Sequence, residues 1–275
     1  MVELREKVAL LTDIHANEEA LEAIIKDIKY RGIKYIFSLG DLVGLGPSPK
    51  ECINLAIENN IINILGNNDY YNLLPPSTYS HLQDKNSESY QNLLWTKQQL
   101  TKKQIAYLRS MPPSVDLKLN NNLIALCHFP SDSRYFPRAV WTYEIEGPNI
   151  FLKTNTKYDE KYNLDPQNKG VISSNLNPIF EGKTVNKYDA VIYGHYHFQE
   201  SYLKKDGYPT NFHSLNAAGV AIEDKTFYYI LEPNKKNGYV IRRLSIPYDK
   251  DKLYHKLDSM EYPKKSTFEE YIMKF

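Results

Sequence analysis

A chain of 275 residues, 42% hydrophobic and 24% charged, is long enough for one large domain with insertions and has the balance of a soluble globular protein. The formal net charge of +1 argues against a broad nucleic-acid or membrane surface. No apolar run approaches a membrane span, the first residues lack a signal core, and the two cysteines, Cys52 and Cys127, imply no disulfide framework, so a cytoplasmic protein is expected.

Val8–Thr12 reads as a buried strand that stops at Asp13-Ile14-His15. Asn17 predicts an N-cap with Glu18 and Glu19 in the first turn, and Ala20, Leu21, Ile24, Ile25 and Ile28 recur at helical spacing up to a stop at Gly32. A second strand, Tyr35–Leu39, closes on Gly40-Asp41-Leu42-Val43-Gly44, and a helix follows over about 50–59. A third strand, Ile61–Leu65, ends in Gly66-Asn67-Asn68-Asp69. This strand and helix alternation predicts a parallel, right-handed start to the sheet.

The pattern then changes. Residues 70–112 are polar, with helices expected over 88–100 and 102–110. Val115–Leu119 and Leu123–Cys127 predict a hairpin that meets His128. Residues 129–187 lack periodicity, carry Arg134 and Arg138, and read as an irregular insertion or lid. Asp189–Tyr193 is a strand running into Gly194-His195-Tyr196-His197. Its glycine is expected to start a turn that aims both imidazoles at one pocket. Strands at 200–204 and 211–215, a hairpin of 226–231 with 239–244, and helices at 249–260 and 267–273 complete a single domain over 1–275 with a helical tail from about 249 to 275.

Asp13, His15, Asp41, Asn67, His128, His195 and His197 all fall where predicted strands stop, and open α/β sheets collect ligands outside the carboxyl ends of their strands. Taken singly, Asp-x-His, a Gly-Asp turn, a loop amide or one histidine is more often structural. The ordered set is better explained as a site for two divalent cations, since a carboxylate can bridge two ions and an imidazole normally cannot.

The motifs Asp13-x-His15, Gly40-Asp41-x-x-Gly44, Gly66-Asn67-x-Asp69, His128 and Gly194-His195-x-His197 resemble the calcineurin-like metallophosphoesterase superfamily over roughly residues 6–245. The resemblance implies an α/β (mixed α+β) fold, a four-layer sandwich of two mixed β-sheets flanked by helices. It implies a first metal on Asp13, His15, Asp41 and His197, and a second on Asp41, Asn67, His128 and His195. Manganese or iron is the expected pair, with zinc or nickel also compatible. The expected reaction is hydrolysis of a phosphoester, as phosphodiesterase or phosphatase, by a metal-bridging hydroxide.

Two positions depart from the family. Asn68 stands where many members carry a histidine that helps the leaving oxygen, and an amide is no general acid near neutral pH. Asn216-Ala217-Ala218-Gly219 stands where small bacterial members carry Asn-Pro-Gly-Ser. Asn68 is expected to orient a phosphate oxygen and Asp69 to orient the site from behind; Arg134 and Arg138 read either as phosphate contacts or as exposed loop charges, and His213 as a structural histidine before a candidate for the absent acid. A small phosphorylated substrate, such as a nucleotide or dinucleoside polyphosphate, is expected, with neither membrane nor nucleic acid as partner. The competing reading is a non-catalytic metal-binding scaffold with the same fold.

Overall fold

Two mixed β-sheets face each other in the computed structural model, which describes residues 1–73, 84–129, 143–146, 149–152, 188–197, 199–207, 210–219, 224–260 and 262–263. In chain order the elements are β1 (Val2–Leu4), β2 (Val8–Leu11), α1 (Glu18–Tyr30), β3 (Tyr35–Ser38), α2 (Pro49–Glu58), β4 (Ile62–Asn63) and α3 (Asn67–Tyr71). Next come α4 (Glu88–Gln99), α5 (Lys102–Ser110), β5 (Ser114–Leu119), β6 (Asn122–Cys127), β7 (Tyr143–Glu146) and β8 (Asn149–Leu152). The chain continues with β9 (Ala190–Tyr193), β10 (Glu200–Tyr202), β11 (Asn211–Ser214), β12 (Lys225–Asn234), β13 (Gly238–Pro247) and α6 (Lys250–Ser259). One sheet runs β1-β5-β6-β9-β11-β10 and the other β13-β12-β2-β3-β4.

Parallel pairing of β2 with β3 and β3 with β4 realises the βαβ start, and the antiparallel β5–β6 and β12–β13 pairs are the expected hairpins. Strand β2 is buried on both faces, which is why it reads as an unbroken apolar run. Val8 and Leu10 join Leu117, Leu119, Ile124, Leu126 and Ile192 in the core between the sheets. Ala9 and Leu11 belong instead to the core under α1 and α2, with Leu21, Ile24, Ile28 and Ile53.

Helix α1 begins as its sequence dictates. The Ala20 amide donates to Asn17 Oδ1 at 3.0 Å, satisfying one of the amides a helix start leaves without an intrahelical partner. Gly32, at φ +63°, ends it with its amide on the Lys29 carbonyl. Helix α6 matches the expected tail helix. It lays Leu253 and Leu257 beside Ala20, and its Lys256 ammonium donates to Glu18 at 2.5 Å, Ser48 at 2.8 Å and pairs with buried Glu19 at 2.6 Å.

Outside residues 129–187, two elements had no readable signal. β1 pairs parallel with β5, Val2 opposite Leu117 and Leu4 opposite Leu119, but three residues are too few to display a period. α3 starts on Asn67, where the polar run Gly66–Asp69 reads as a turn; the Asp69 carboxylate stabilises its start by accepting the Gly66 amide at 3.0 Å. Within 129–187 the structure describes Phe129 and the antiparallel pair β7–β8. Arg134, Arg138 and the second tail helix expected at 267–273 lie outside the described residues. Among the described residues no helix is long and apolar enough to cross a membrane.

His213, on β11, is partly buried and has both ring nitrogens engaged, Nδ1 with Ser201 Oγ and Nε2 with the Tyr239 hydroxyl, each at 2.9 Å. Burial lowers its pKa to about 4. The folded pKa lies below the unfolded value of about 6.5, so the unfolded chain binds the proton more readily as pH falls. Stability present above pH 6.5 is therefore lost toward pH 4, by on the order of 2 kcal/mol after allowance for partial exposure. His213→Gln should flatten that part of the urea-denaturation pH profile, and an unchanged profile would show that other groups set it.

Candidate metal centre

The expected ligands sit on short turns at the ends of β2, β3, β6 and β9 and at the start of α3. The backbone there is unusual. Asp13 (φ +52°), His15 (+49°), Asp41 (+55°), His195 (+70°) and His197 (+63°) all occupy the left-handed region, which costs a non-glycine residue roughly 1 kcal/mol or more. Such a conformation persists where the surroundings fix it. Here the amides of Asp13, His15 and Ala16 donate to the carbonyls of Gly40 (2.9 Å), Asp41 (2.9 Å) and Leu42 (3.0 Å), stitching one loop to the next.

Gly194 does not serve as expected. It is absent from the positive-φ residues, and the histidines themselves make the turn. The glycine is needed because a Cβ at that position would lie 1.9 Å from Thr12 Oγ1 and 2.5 Å from Asp13 Oδ2. Tyr196 packs edge-on against Phe129 and Tyr193 and fills space beside the two histidines.

The side chains converge in two groups that share Asp41. In the first, His15 Nε2 lies 2.9 Å from His197 Nε2, 3.9 Å from Asp13 Oδ1 and 4.0 Å from Asp41 Oδ2, while His197 Nε2 is 3.4 Å from Asp13 Oδ1. In the second, His128 Nε2 lies 3.5 Å from Asp41 Oδ2 and 2.9 Å from Asn67 Oδ1. His195 Nδ1 completes it, 3.1 Å from Asn67 Oδ1 and 3.2 Å from His128 Nε2. Asp13, His15, Asp41 and His128 are almost wholly buried.

The arrangement fits cations. Asp13 Oδ2 accepts Thr12 Oγ1 at 2.7 Å and the His195 amide at 2.9 Å, whereas buried Oδ1 has no hydrogen-bond donor. An ionised oxygen left so is costly unless a cation faces it. His128 Nδ1 donates to the Leu39 carbonyl at 2.8 Å, which leaves the Nε2 lone pair toward Asn67 and Asp41. Burial raises the Asp41 pKa to about 7; His128 opposes the rise, and the neighbouring charges of Asp13 and Asp69 add to it. Burial also disfavours charge on Asp13, but the His197 ring 3.4 Å from Oδ1 and the surrounding imidazoles hold its carboxyl well below the usual range. Three buried carboxylates among imidazoles thus concentrate negative charge where divalent ions would neutralise it.

Asn68, expected at a phosphate oxygen, has a closer task. Its amide donates to Asp41 Oδ1 at 2.8 Å and its side-chain Nδ2 to Asp41 Oδ2 at 2.6 Å, which orients that carboxylate. Asp69 accepts the Val43 amide and the Gly66 amide, both at 3.0 Å, and so ties the Asp41 and Asn67 loops together from behind. The altered 216–219 stretch still supports the site: the Ala218 and Gly219 amides donate to the Thr12 and Asp13 carbonyls at 2.7 and 2.9 Å. Thr12 went unnoticed in the sequence, where a threonine ending a strand is unremarkable. His213 has both nitrogens committed elsewhere.

A family model described as calcineurin-like phosphoesterase matches residues 6–199. The uncharacterized protein MJ0912 of Methanocaldococcus jannaschii is 36% identical over 125 residues, which cover 46% of this chain and 50% of that protein, so the chain spans about half the length of this curated relative. Two solved structures share the fold at 20% identity. The hypothetical protein PH1004 from Pyrococcus horikoshii OT3 has a TM-score of 0.65, with 94% of each chain covered. The metallophosphoesterase from Sphaerobacter thermophilus has a TM-score of 0.61, with 94% of this chain and 95% of that one covered.

Proposed function

The chain belongs to the calcineurin-like phosphoesterase family, and from that premise we propose that it hydrolyses a small phosphoester, a nucleotide among the candidates, at a centre of two metal ions in the cytoplasm. The observation that carries the reading is the buried Asp13 Oδ1, 3.4 Å from His197 Nε2 and 3.9 Å from His15 Nε2, beside a second donor group of Asp41 and His128. Asp13, His15, Asp41 and His197 would hold one ion, and Asp41, Asn67, His128 and His195 the other. When bound, such ions supply Lewis acidity toward phosphate oxygens and acidify a water to near neutral pH.

The chain's own groups do the rest. Thr12 and the His195 amide fix Asp13 so that only Oδ1 faces inward, and Asn68 fixes both oxygens of Asp41. The second hydrogen on Asn68 Nδ2 is the donor available to a phosphate oxygen. Neither Asn68 nor His213 supplies a proton to the leaving oxygen, so departure depends on the leaving group's own stability. Esters of acidic phenols should therefore outrun alkyl esters by about 100-fold or more in kcat/KM. Asn68→His should narrow that gap, and an equal gap in both proteins would remove the argument from Asn68.

The direct test is protein stripped by chelator and reloaded with manganese, assayed on nucleotides, phosphodiesters and phosphomonoesters with product analysis. Stripping should reduce hydrolysis at least about 100-fold and manganese restore it. A fully loaded protein inert across the panel would favour the non-catalytic scaffold.

A further inference from the structure

The loop from Gly40 to Ser48 is held at first by the other site loops, through the carbonyls of Gly40, Asp41 and Leu42 and the Val43 amide on Asp69. The Gly46 amide closes on the Gly44 carbonyl at 2.8 Å and the Ser48 amide on the Ala16 carbonyl at 3.0 Å, and the turn at Leu45 is held from elsewhere as well. The Leu45 amide donates to Asn92 Oδ1 on α4 at 3.1 Å, Asn92 Nδ2 donates to the Tyr262 hydroxyl at 2.7 Å, and that hydroxyl donates back to the Leu45 carbonyl. The Asn92 amide and the Tyr262 hydroxyl each accept one of these bonds and donate the next, so the bonds they join polarise one another. Leu45 sits at φ +65°, a backbone conformation that a leucine keeps only where its surroundings impose it. Asn92 and Tyr262 are both buried, and the Tyr262 ring meets Trp95 edge-on at 5.0 Å. Neither residue belongs to a metal motif, and Tyr262 lies beyond the family match at 6–199.

Gly44 connects this ring to the chemistry. A Cβ on Gly44 would lie 2.9 Å from Asn68 Cβ and 3.1 Å from Asn68 Oδ1, so its backbone is the wall behind the Asn68 side chain. Asn68 in turn donates twice to Asp41. We propose that Asn92 and Tyr262 are positioning residues for the metal centre: by pinning Leu45 they hold Gly44 against Asn68, and so keep Asn68 Nδ2 on the Asp41 carboxylate. The segment after α6 is then part of the working site. Its consequence for catalysis rests on the phosphoesterase reading, but the pinning is a property of the chain with or without substrate.

The test uses Tyr262→Phe, which removes the hydroxyl and keeps the ring, and Asn92→Asp, which keeps the acceptor for Leu45 and removes the donor to Tyr262. Each is made alone and with Asn68→Ala in the full chain. Hydrogen exchange of the metal-free protein and manganese binding by calorimetry are the readouts. Tyr262→Phe should speed exchange of the 67–71 amides about fivefold and weaken manganese binding about three- to tenfold, with Asn92→Asp acting in the same direction. In the Asn68→Ala background, Tyr262→Phe should change manganese affinity less than about twofold, because the side chain that transmits the effect is gone. Equal losses of affinity with and without the Asn68 side chain, or unchanged exchange at 67–71, would overturn the proposal. Hydrolysis is followed separately in the same samples, so an inert wild-type protein would count against the phosphoesterase reading and leave the exchange and affinity comparisons standing.

Discussion

Asp41→Asn should abolish hydrolysis, by about a thousandfold or more in kcat, while leaving a folded protein. Asp41 reaches both donor groups, with Oδ2 4.0 Å from His15 Nε2 and 3.5 Å from His128 Nε2. Its two oxygens accept both Asn68 donors at 2.8 and 2.6 Å. An asparagine brings an NH2 where an oxygen stood, so one Asn68 donor meets another donor, and the charge shared between two cations is gone. The fold has little reason to suffer. Without metal the Asp41 carboxyl is already raised to about 7 by burial, and its ionised form is repelled by Asp13 and Asp69. The metal-free variant should therefore stay within about 1 kcal/mol of wild type in urea denaturation. Calorimetry should show manganese stoichiometry falling with activity. Full manganese-supported hydrolysis in purified Asp41→Asn would refute the shared-ligand assignment.

Gly194→Ala should damage the protein although it adds a single methyl. The new methyl would sit 1.9 Å from Thr12 Oγ1 and 2.5 Å from Asp13 Oδ2, well inside contact distance, and both atoms are fixed by the 2.7 Å hydrogen bond between them. Thr12 is fully buried and ends a central strand, so relief requires moving β2 or β9. A cost of about 2–4 kcal/mol is expected, together with weaker manganese binding because Asp13 is displaced. Gly32→Ala is the matched control. It has a positive φ of +63° but nothing within 4 Å of the added carbon, and should cost only about 1 kcal/mol. Comparing urea midpoints separates packing from backbone strain, and equal losses in the two variants would show that close approach is not what Gly194 serves.

The elements legible in the sequence were those whose residues carry their own period or cap. β2 shows an apolar run because both its faces are covered, and α1 shows Asn17, its apolar stripe and Gly32 because each acts within a few residues along the chain. The hairpins β5–β6 and β12–β13 are local for the same reason. β1 stayed hidden because its structure comes from the strand it pairs with, more than a hundred residues away, and α3 because its capping carboxylate, Asp69, reads equally as part of a turn.

The candidate site divides in the same way. Chain order and residue type alone determined which seven side chains fall at strand ends and that their oxygens and nitrogens suit two cations. Only the tertiary structure decided how they face one another. The left-handed backbones of Asp13, Asp41, His195 and His197, the tight approach of Gly194 to Thr12, and the two hydrogen bonds from Asn68 to Asp41 all depend on loops from separate strands meeting. The ring joining Leu45, Asn92 and Tyr262 is the extreme case. A motif records what each residue can do, but a hydrogen bond across 217 positions of chain leaves no local pattern, because the sheets and helices that bring its ends together are spread over the whole molecule.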